Sequence, residues 1–382
     1  MATSGFYYEF VALRGRQAGR EYYVAMSPLK LLPKLFVFDE EELKPEFRAQ
    51  RKLNQARVPE LARYIAHNPR EYVFSSITAS IDGKPEFLPN PDQGIASHLG
   101  VLRIPMDAKL VINDGQHRRA AIEEALKERP ELSDETISVV FFVDAGLKRS
   151  QQMFADLNKH AVRPTKSLGI LYDHRDSLSI LARKLSVDVP VFRDLTETDK
   201  STISNRSRKL FTLSSIYFST RQLLRKSAKS TVTEEDTRLA VDFWTEVGKH
   251  IADWQQASRG DVSSAELRSG YIHAHGVALQ AIALAGADLI EAFPTRWKQK
   301  LKGLQKIDWS RNNRSLWEGR ATIGGRVSKA TNNVVLTANV IKEHIGLPLT
   351  DSQNLVEGIH AKGRHSTRVT KPDSSSSRQT NA

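Results

Sequence analysis

The sequence predicts an α+β chain: a mixed α/β domain over 1–165, an all-helical basic domain over 166–350, and a polar tail over 351–382 without regular structure. Three observations carry that division. Aromatic and β-branched runs of strand length recur before residue 145 and nearly cease after Lys166. Beyond that point apolar residues return at helical spacing. From Ala361 the chain holds five Lys or Arg against Asp373, a Ser374–Ser377 run and almost no apolar residues, too few to bury a face and order itself.

Taken in order, Phe6–Leu13 and Glu21–Ala25 read as strands flanking a hairpin turn over 14–19. Ser27-Pro28 has the form of an N-cap and first helical position for Leu29–Leu35. A polar helix is expected near Val58–Ala66, then a strand over Tyr72–Ile81 and a loop over 84–98, rich in Pro, Gly, Asn and Asp. Strands at Leu99–Ile104 and Lys109–Ile112 lead into a helix over Ala120–Lys127. Ile137–Val143 has the continuous apolar character of a buried strand, and Lys148–Leu157 is expected to be helical.

In the second domain Leu210–Leu224 has helical spacing. Thr233-Glu234-Glu235-Asp236 is a capping signal for a helix with Leu239, Phe243, Val247, Ile251 and Trp254 on one stripe. Ser263-Ser264-Ala265-Glu266 opens a second helix expected to run towards Ile290. Pro294 begins a basic helix with Trp297, Leu301 and Leu304. Asn332–Ile345 is the last helix, after a loop around Gly324-Gly325.

Charge and composition narrow the function. Lys and Arg number 56 against 44 Asp and Glu, a formal net charge of +12. A chain this basic usually meets something anionic, most often nucleic acid. The excess is clustered. Residues 200–230 carry eight Lys or Arg and no acid, and 296–329 carry ten against Asp308 and Glu318. The candidates for DNA contact are Arg206, Arg208, Lys209, Arg221, Arg225, Lys226, Arg311, Arg314 and Arg320. Ser201–Lys229 with Thr233–Ala252 has the rough dimensions of a helix-turn-helix. Cysteine is absent, which excludes disulfides, thiolate zinc and a cysteine nucleophile. No metal site is expected, because His273 and His275 are two apart and lack acidic neighbours at ligand spacing. No run approaches the length of a spanning helix. The first residues lack the apolar stretch of an exported chain, and a cytoplasmic location is expected.

The densest chemistry lies at Ile112–Arg119. A strand that turns through glycine into a helix leaves backbone N–H groups unpaired at the helix start, where the dipole favours an anion. Gln116, His117, Arg118 and Arg119 crowd that point. Gly115 lets the backbone approach a ligand or take positive φ. Arg118 and Arg119 can fork onto phosphate oxygens. His117 can donate to a phosphate or act as acid and base near neutral pH. Asp114 can orient either neighbour. The plain alternative is a polar helix cap with its arginines on the surface.

Asp114-Gly115-Gln116-His117-Arg118 is the defining pentapeptide of the DGQHR proteins. Tyr22–Phe36, Phe154–Ala161 and Trp317–Arg320 resemble the DndB branch, which accompanies genes of DNA phosphorothioate (sulfur) modification. The resemblance runs from about residue 5 to 350. It implies a regulator that binds DNA upstream of those genes and represses them. It also implies a ParB/sulfiredoxin-like fold for the first domain, in which a glycine-arginine turn holds nucleotide phosphates with Mg2+. Asn158 matches an asparagine of the second ParB segment. Leu157 stands where that segment has glutamate, and His160 falls one position before its arginine.

The expected function is therefore a DNA-binding transcriptional repressor of a DNA sulfur-modification gene cluster. Its phosphate or nucleotide site would comprise Gly115, Gln116, His117, Arg118, Arg119 and Asn158, and a nucleoside triphosphate with Mg2+ is the cofactor considered. The rivals are an NTPase or DNA-nicking enzyme using Asp114, His117 and Arg118, and an assembly factor of the modification machinery. Expected partners are double-stranded DNA at the chain's own promoter, other sulfur-modification proteins and further copies of itself, with no membrane.

Overall fold

The computed structural model describes residues 6–36, 57–92, 94–143, 152–153, 155–157, 164–227 and 230–368, with only the backbone for 362–368. It is a mixed α and β chain, as the sequence predicts. The chain separates into two compact units, 1–162 and 163–382.

The first unit is built on a seven-stranded sheet. Its strands are β1 (Tyr7–Gln17), β2 (Arg20–Pro28), β3 (Ile77–Asp82), β4 (Glu86–Pro89), β5 (Leu99–Pro105), β6 (Lys109–Asp114) and β7 (Thr136–Val143). Their order is β4-β5-β1-β2-β7-β3-β6. All neighbours are antiparallel except β3 and β7, so β6, which leads into the motif, is an edge strand. Alternation is clear on β1, where Phe10 and Ala12 are buried while Val11 and Leu13 are exposed. Helices α1 (Val58–His67) and α2 (Gln116–Glu128) pack against each other. Ile65, Ala121 and Ile122 join Ile77, Ala79, Leu102, Val139 and Phe141 in one core.

Several boundaries differ from expectation for identifiable reasons. The first hairpin turns on two residues, Ala18 and Gly19, both at positive φ. That conformation matches the twist of the flanking strands and lets pairing reach Gln17 and Arg20. Ser27 and Pro28 stay in β2, and neither caps a helix. A 3-10 turn at Leu29–Leu31 and one α turn at Leu32–Leu35 follow instead. β3 begins at Ile77, later than expected, because the Tyr72 N–H bonds back to Asn68 and closes the turn after α1. Within the expected loop 84–98, β4 pairs with β5 and Gly94–His98 forms a 3-10 turn. Of the expected helix 148–157, residues 152–153 and 155–157 are helical and the rest lie outside the described residues.

The second unit is helical around α3 (Leu213–Leu223), α4 (Glu234–His250), α5 (Gly276–Ala292), α6 (Thr331–Ile345) and α7 (Asp351–Arg368). α5 is apolar nearly all round, which is the composition of a central helix. It packs against both α3 and α6. Thr233–Asp236 and Ser263–Glu266 form the capping boxes that the sequence predicts. The unit is not purely helical: Thr196–Glu197 pairs with Phe211–Thr212, and Thr322–Ile323 pairs with Arg326–Val327. The helix expected from Ser264 to Ile290 breaks at 271–275. Tyr271 bridges to Ser310 there, and His273 is fully buried between the Trp254 indole N–H, which donates to Nδ1 (3.1 Å), and Asp253 Oδ2 (2.7 Å from Nε2). Gly270 and Gly276 bracket the break, where helix propensity is lowest. The stripe ending at Trp254 is buried as expected, but α4 stops at His250 and a new helix starts at Ala252. The basic helix expected after Pro294 is one α turn, Trp297–Lys300, followed by a 3-10 segment to Lys306. Among the described residues no helix is long and apolar enough to cross a membrane.

The largest departure is the tail. It begins as a helix, because polar residues at one face find buried partners. The Lys342 ammonium, 1% exposed, donates to Gln353 Oε1 at 2.8 Å, and Arg320 pairs with Glu357. Residues 369–382 lie outside the described residues. Truncation after Thr350 is thus expected to cost about 1–3 kcal/mol, since Lys342, Arg320 and Asn339 each lose a hydrogen-bond partner in a largely buried setting. Thermal melting of the truncated and full chains checks this, and equal melting temperatures would contradict it.

His275 predicts a pH dependence. Burial, with Arg311, Lys329 and His273 nearby, lowers its pKa to about 4, against the pull of a bond to the Arg268 carbonyl. Unfolded histidine titrates near 6.5, so between about 6.5 and 4 the unfolded chain binds the extra proton. Stability is full above about pH 6.5 and falls on acidification, by up to about 3 kcal/mol from this group. Denaturant titrations at stepped pH should show the slope shrinking in His275→Gln. An unchanged slope would assign it elsewhere.

Candidate phosphate site at a strand-to-helix turn

The site is set by how β6 ends. Thr78 pairs with Asp114, but Ala79 pairs with Ile112, so Asn113 is an extra residue on the edge strand. Such a bulge re-aims a side chain. Asn113 points into the core, fully buried, and its amide donates to Ser80 Oγ at 2.7 Å and to Met153 Sδ at 3.1 Å. The second contact brings Met153 beside the turn. Asn158 lies outside the described residues.

Gly115 then turns the chain at φ +111° and caps α2 without a side chain. A Cβ there would stand 3.0 Å from Ile77 Cγ1 and 3.1 Å from Arg118 Nη2, so both φ and space call for glycine. The first helical bond runs from the Arg119 N–H to the Gly115 carbonyl, 2.9 Å. The N–H groups of Gln116, His117 and Arg118 precede it and have no acceptor within the helix.

The arginines fold over the turn, mostly covered, unlike the surface arrangement of the plain alternative. Arg118 Nη2 donates to Asp114 Oδ2 (2.9 Å) and to the Ser76 carbonyl (3.1 Å). Arg119 Nη2 donates to the Pro33 carbonyl (3.3 Å), and its Nη1 pairs with Glu123 (2.7 Å). The Nε of each is buried with no hydrogen-bond partner. The Gln116 amide donates to the Ile112 carbonyl at 3.4 Å. Burial, reinforced by Arg57 and Arg118, lowers the His117 pKa below its usual value against the pull of Asp114, so the imidazole is neutral near pH 7. The turn thus offers helix N–H groups, two largely covered guanidiniums and a neutral imidazole, a set suited to an anion's oxygens. Asp114 alone supplies a carboxylate from the motif, and it is engaged by Arg118. Among the described residues no cluster of three metal-ligating side chains occurs.

The basic residues expected on DNA are not gathered into one set of open cations. Arg225 pairs with Asp288 (2.5 Å) and Glu291 (2.7 Å), Lys226 with Asp236 (2.7 Å), and Arg320 with Glu357. Lys209 donates to the Asp194 carbonyl, and Arg221 lies over the Phe218 ring. Arg311 donates to three carbonyls. Arg206, Arg208 and Arg314 are exposed. α3 and α4 are joined by residues 224–233, longer than the three- or four-residue turn of a helix-turn-helix, and 201–212 is not helical. That motif is therefore not formed here. Sequence reading missed the carbonyls of Pro33 and Ser76 as guanidinium anchors, since a carbonyl leaves no mark in a sequence. It also passed over Asn113, although a polar residue at the end of an apolar strand was a visible signal.

A family model described as DndB, DNA-sulfur modification-associated, matches residues 10–348 of the chain. No curated protein and no solved structure matches it.

Gly115→Ala is expected to destabilise the first unit by about 1–3 kcal/mol, the usual cost of a non-glycine residue held in a sparsely populated backbone region. Chemical denaturation measures it. A neutral substitution would mean that the turn relaxes to ordinary backbone and that its geometry is not constrained.

Proposed function

Because the chain belongs to the DndB family of DNA-sulfur modification-associated proteins, we propose that it is a DNA-binding regulator that represses a sulfur-modification gene cluster. On this reading a phosphate, from nucleotide or DNA, sits at the Gly115–Arg119 turn. The observation that carries the phosphate reading is the pair of buried Nε atoms on Arg118 and Arg119, unpartnered beside an uncapped helix start. Buried donors without acceptors cost about 1–3 kcal/mol each, and an anion at the turn is placed to relieve that cost. The net charge of +12 supports an anionic partner of larger size.

A nucleoside triphosphate fits the turn through its phosphates. Gly115 admits the close approach, the helix N–H groups donate to the oxygens, and the two arginines balance the charge. The Mg2+ that would accompany it fits less well among the described residues, where Asp114 is the motif's only carboxylate and holds Arg118. The binding function therefore stands ahead of the enzymatic one. Operators are usually read by symmetric proteins, which favours an oligomer. Other sulfur-modification proteins are further partners of this reading.

The test is binding to the DNA upstream of the chain's own modification genes, with and without ATP, CTP or GTP. If about five phosphates are neutralised, log affinity should fall against log salt with a slope near −4 to −5. Arg118→Ala should weaken the phosphate ligand roughly ten- to hundredfold, the value of one charge-assisted contact. A flat salt response would reject the DNA partner. Unchanged nucleotide and DNA affinity in a folded Arg118→Ala would make the turn purely structural. Nucleotide turnover lost in His117→Ala would move the assignment to an enzyme.

A further inference from the structure

A second cationic site lies wholly within the helical unit. A cavity of about 580 Å3 opens where the 201–212 segment meets the start of α5, a volume typical of small-molecule sites. Arg268, Arg311, Lys329 and His275 line it, and none of its lining residues is Asp or Glu.

The cations are held in an unusual way. Arg268 donates to the carbonyls of Ser204 (2.9 Å), Asn205 (3.2 Å), Ser207 (3.0 Å) and Lys209. Arg311 donates to those of Arg268 (3.3 Å), Ser269 (3.1 Å) and Gly325 (2.8 Å). Carbonyl oxygens fix a guanidinium in place but carry no net charge, so both positive charges persist. Lys329 has no carboxylate or hydrogen-bond partner among the described residues. Its ammonium lies against Gly276, 2.7 Å from where a Cβ would stand, and desolvation lowers its pKa. A side chain at 276 would push that ammonium and the Ser215 hydroxyl aside.

The backbone adds to this. α5, 17 residues long, starts at Gly276 with no side-chain cap. Its bonding begins with the Ala278 N–H donating to the His275 carbonyl, which leaves the Gly276 N–H at the cavity wall. His275 Nε2 donates to the Arg268 carbonyl (2.8 Å), so the neutral ring keeps a lone pair on Nδ1. Three cations around one cavity repel each other unless an anion joins them. Leu210, Phe211 and Ala274 give part of the lining an apolar character.

We propose that this cavity binds a phosphomonoester of the nucleotide class, its phosphate held by Lys329, Arg311 and the Gly276 N–H, with Arg268 as a fixed charge behind them. The same chemistry is presented by a free nucleotide and by the 5′-phosphate of a DNA strand. The proposal does not rest on the phosphate reading of the Gly115 turn.

Isothermal titration of the full chain at low salt tests it, using AMP, inorganic phosphate, adenosine, and one single-stranded oligonucleotide with either a 5′-phosphate or a 5′-hydroxyl. AMP and phosphate should bind and adenosine should not. Lys329→Gln should weaken AMP about ten- to hundredfold, and Lys329→Glu should abolish the site. Both variants should melt like the parent, since Lys329 has no partner to lose. Arg118→Ala should leave this binding in place, and if the turn binds AMP as well, two sites fall to one in either variant. A preference for the 5′-phosphorylated strand over AMP identifies a DNA end as the source, and the reverse identifies free nucleotide. Absence of AMP, phosphate and 5′-phosphate binding, or full affinity in Lys329→Glu, overturns the proposal. AMP binding lost only in Arg118→Ala overturns it too, and leaves the turn's own reading standing.

Discussion

Gly115 holds φ at +111°, and that dihedral sets where α2 leaves β6. The turn has no slack. Ile77, which a Cβ at 115 would strike, is fully buried in the sheet's core, and Arg118 lies equally close. The strand therefore cannot run on and the helix cannot start late. Asn113, bulged inward and bonded to Ser80 and Met153, fixes the last strand residue from the other direction. With both ends of the turn anchored, the first N–H groups of α2 are presented at a place that thermal motion of an edge strand would otherwise blur. On the proposed reading, an anion site built this way would be preorganised, so less ordering entropy would oppose binding.

The same anchoring explains why the arginines of the motif do not reach outward. Arg118 is tied to Asp114 within its own motif and to the Ser76 carbonyl, and Arg119 to Glu123 and the Pro33 carbonyl. On the proposed reading, Asp114 is the internal anion that balances Arg118 until a phosphate takes over. It is half-exposed, so releasing it to water costs little, and its pair with Arg118 is of the weak surface kind. A phosphate with two charges and several oxygens can then satisfy groups that a single carboxylate leaves unmet, the two Nε atoms among them.

How much of this was legible varies with the length scale of the cause. The alternation of β1, the capping boxes at Thr233 and Ser263 and the strand-glycine-helix order at 112–120 are local, and each was read from neighbouring residues. The break at 271–275 was not, because it depends on Tyr271 meeting Ser310 and on His273 lodging between Asp253 and Trp254, partners 19 to 39 positions away in sequence. The helix at Asp351–Arg368 was lost for the same reason. Its composition is that of a solvated tail, yet Gln353 and Glu357 find Lys342, Arg320 and Asn339. Composition reports how much apolar surface a segment can bury and is blind to polar partners that another helix has already desolvated.

Charge shows the same limit more sharply. A run of eight cations without an acid, over 200–230, looks in sequence like a single basic face. In the fold Arg225 and Lys226 meet Asp288, Glu291 and Asp236, acids drawn from other helices, and their fields are cancelled locally. Arg268, Arg311 and Lys329 come from separate stretches and converge on one cavity without a carboxylate on its wall. What decides whether a lysine or arginine is available to an outside anion is the charge of its anchor. A cation pinned by a carboxylate is neutralised, whereas one pinned by carbonyls is positioned and still charged. By that criterion Arg268, Arg311 and Lys329 form a concave group of cations without a carboxylate on its wall. A surface of that shape matches the end of a phosphorylated molecule better than the side of a duplex.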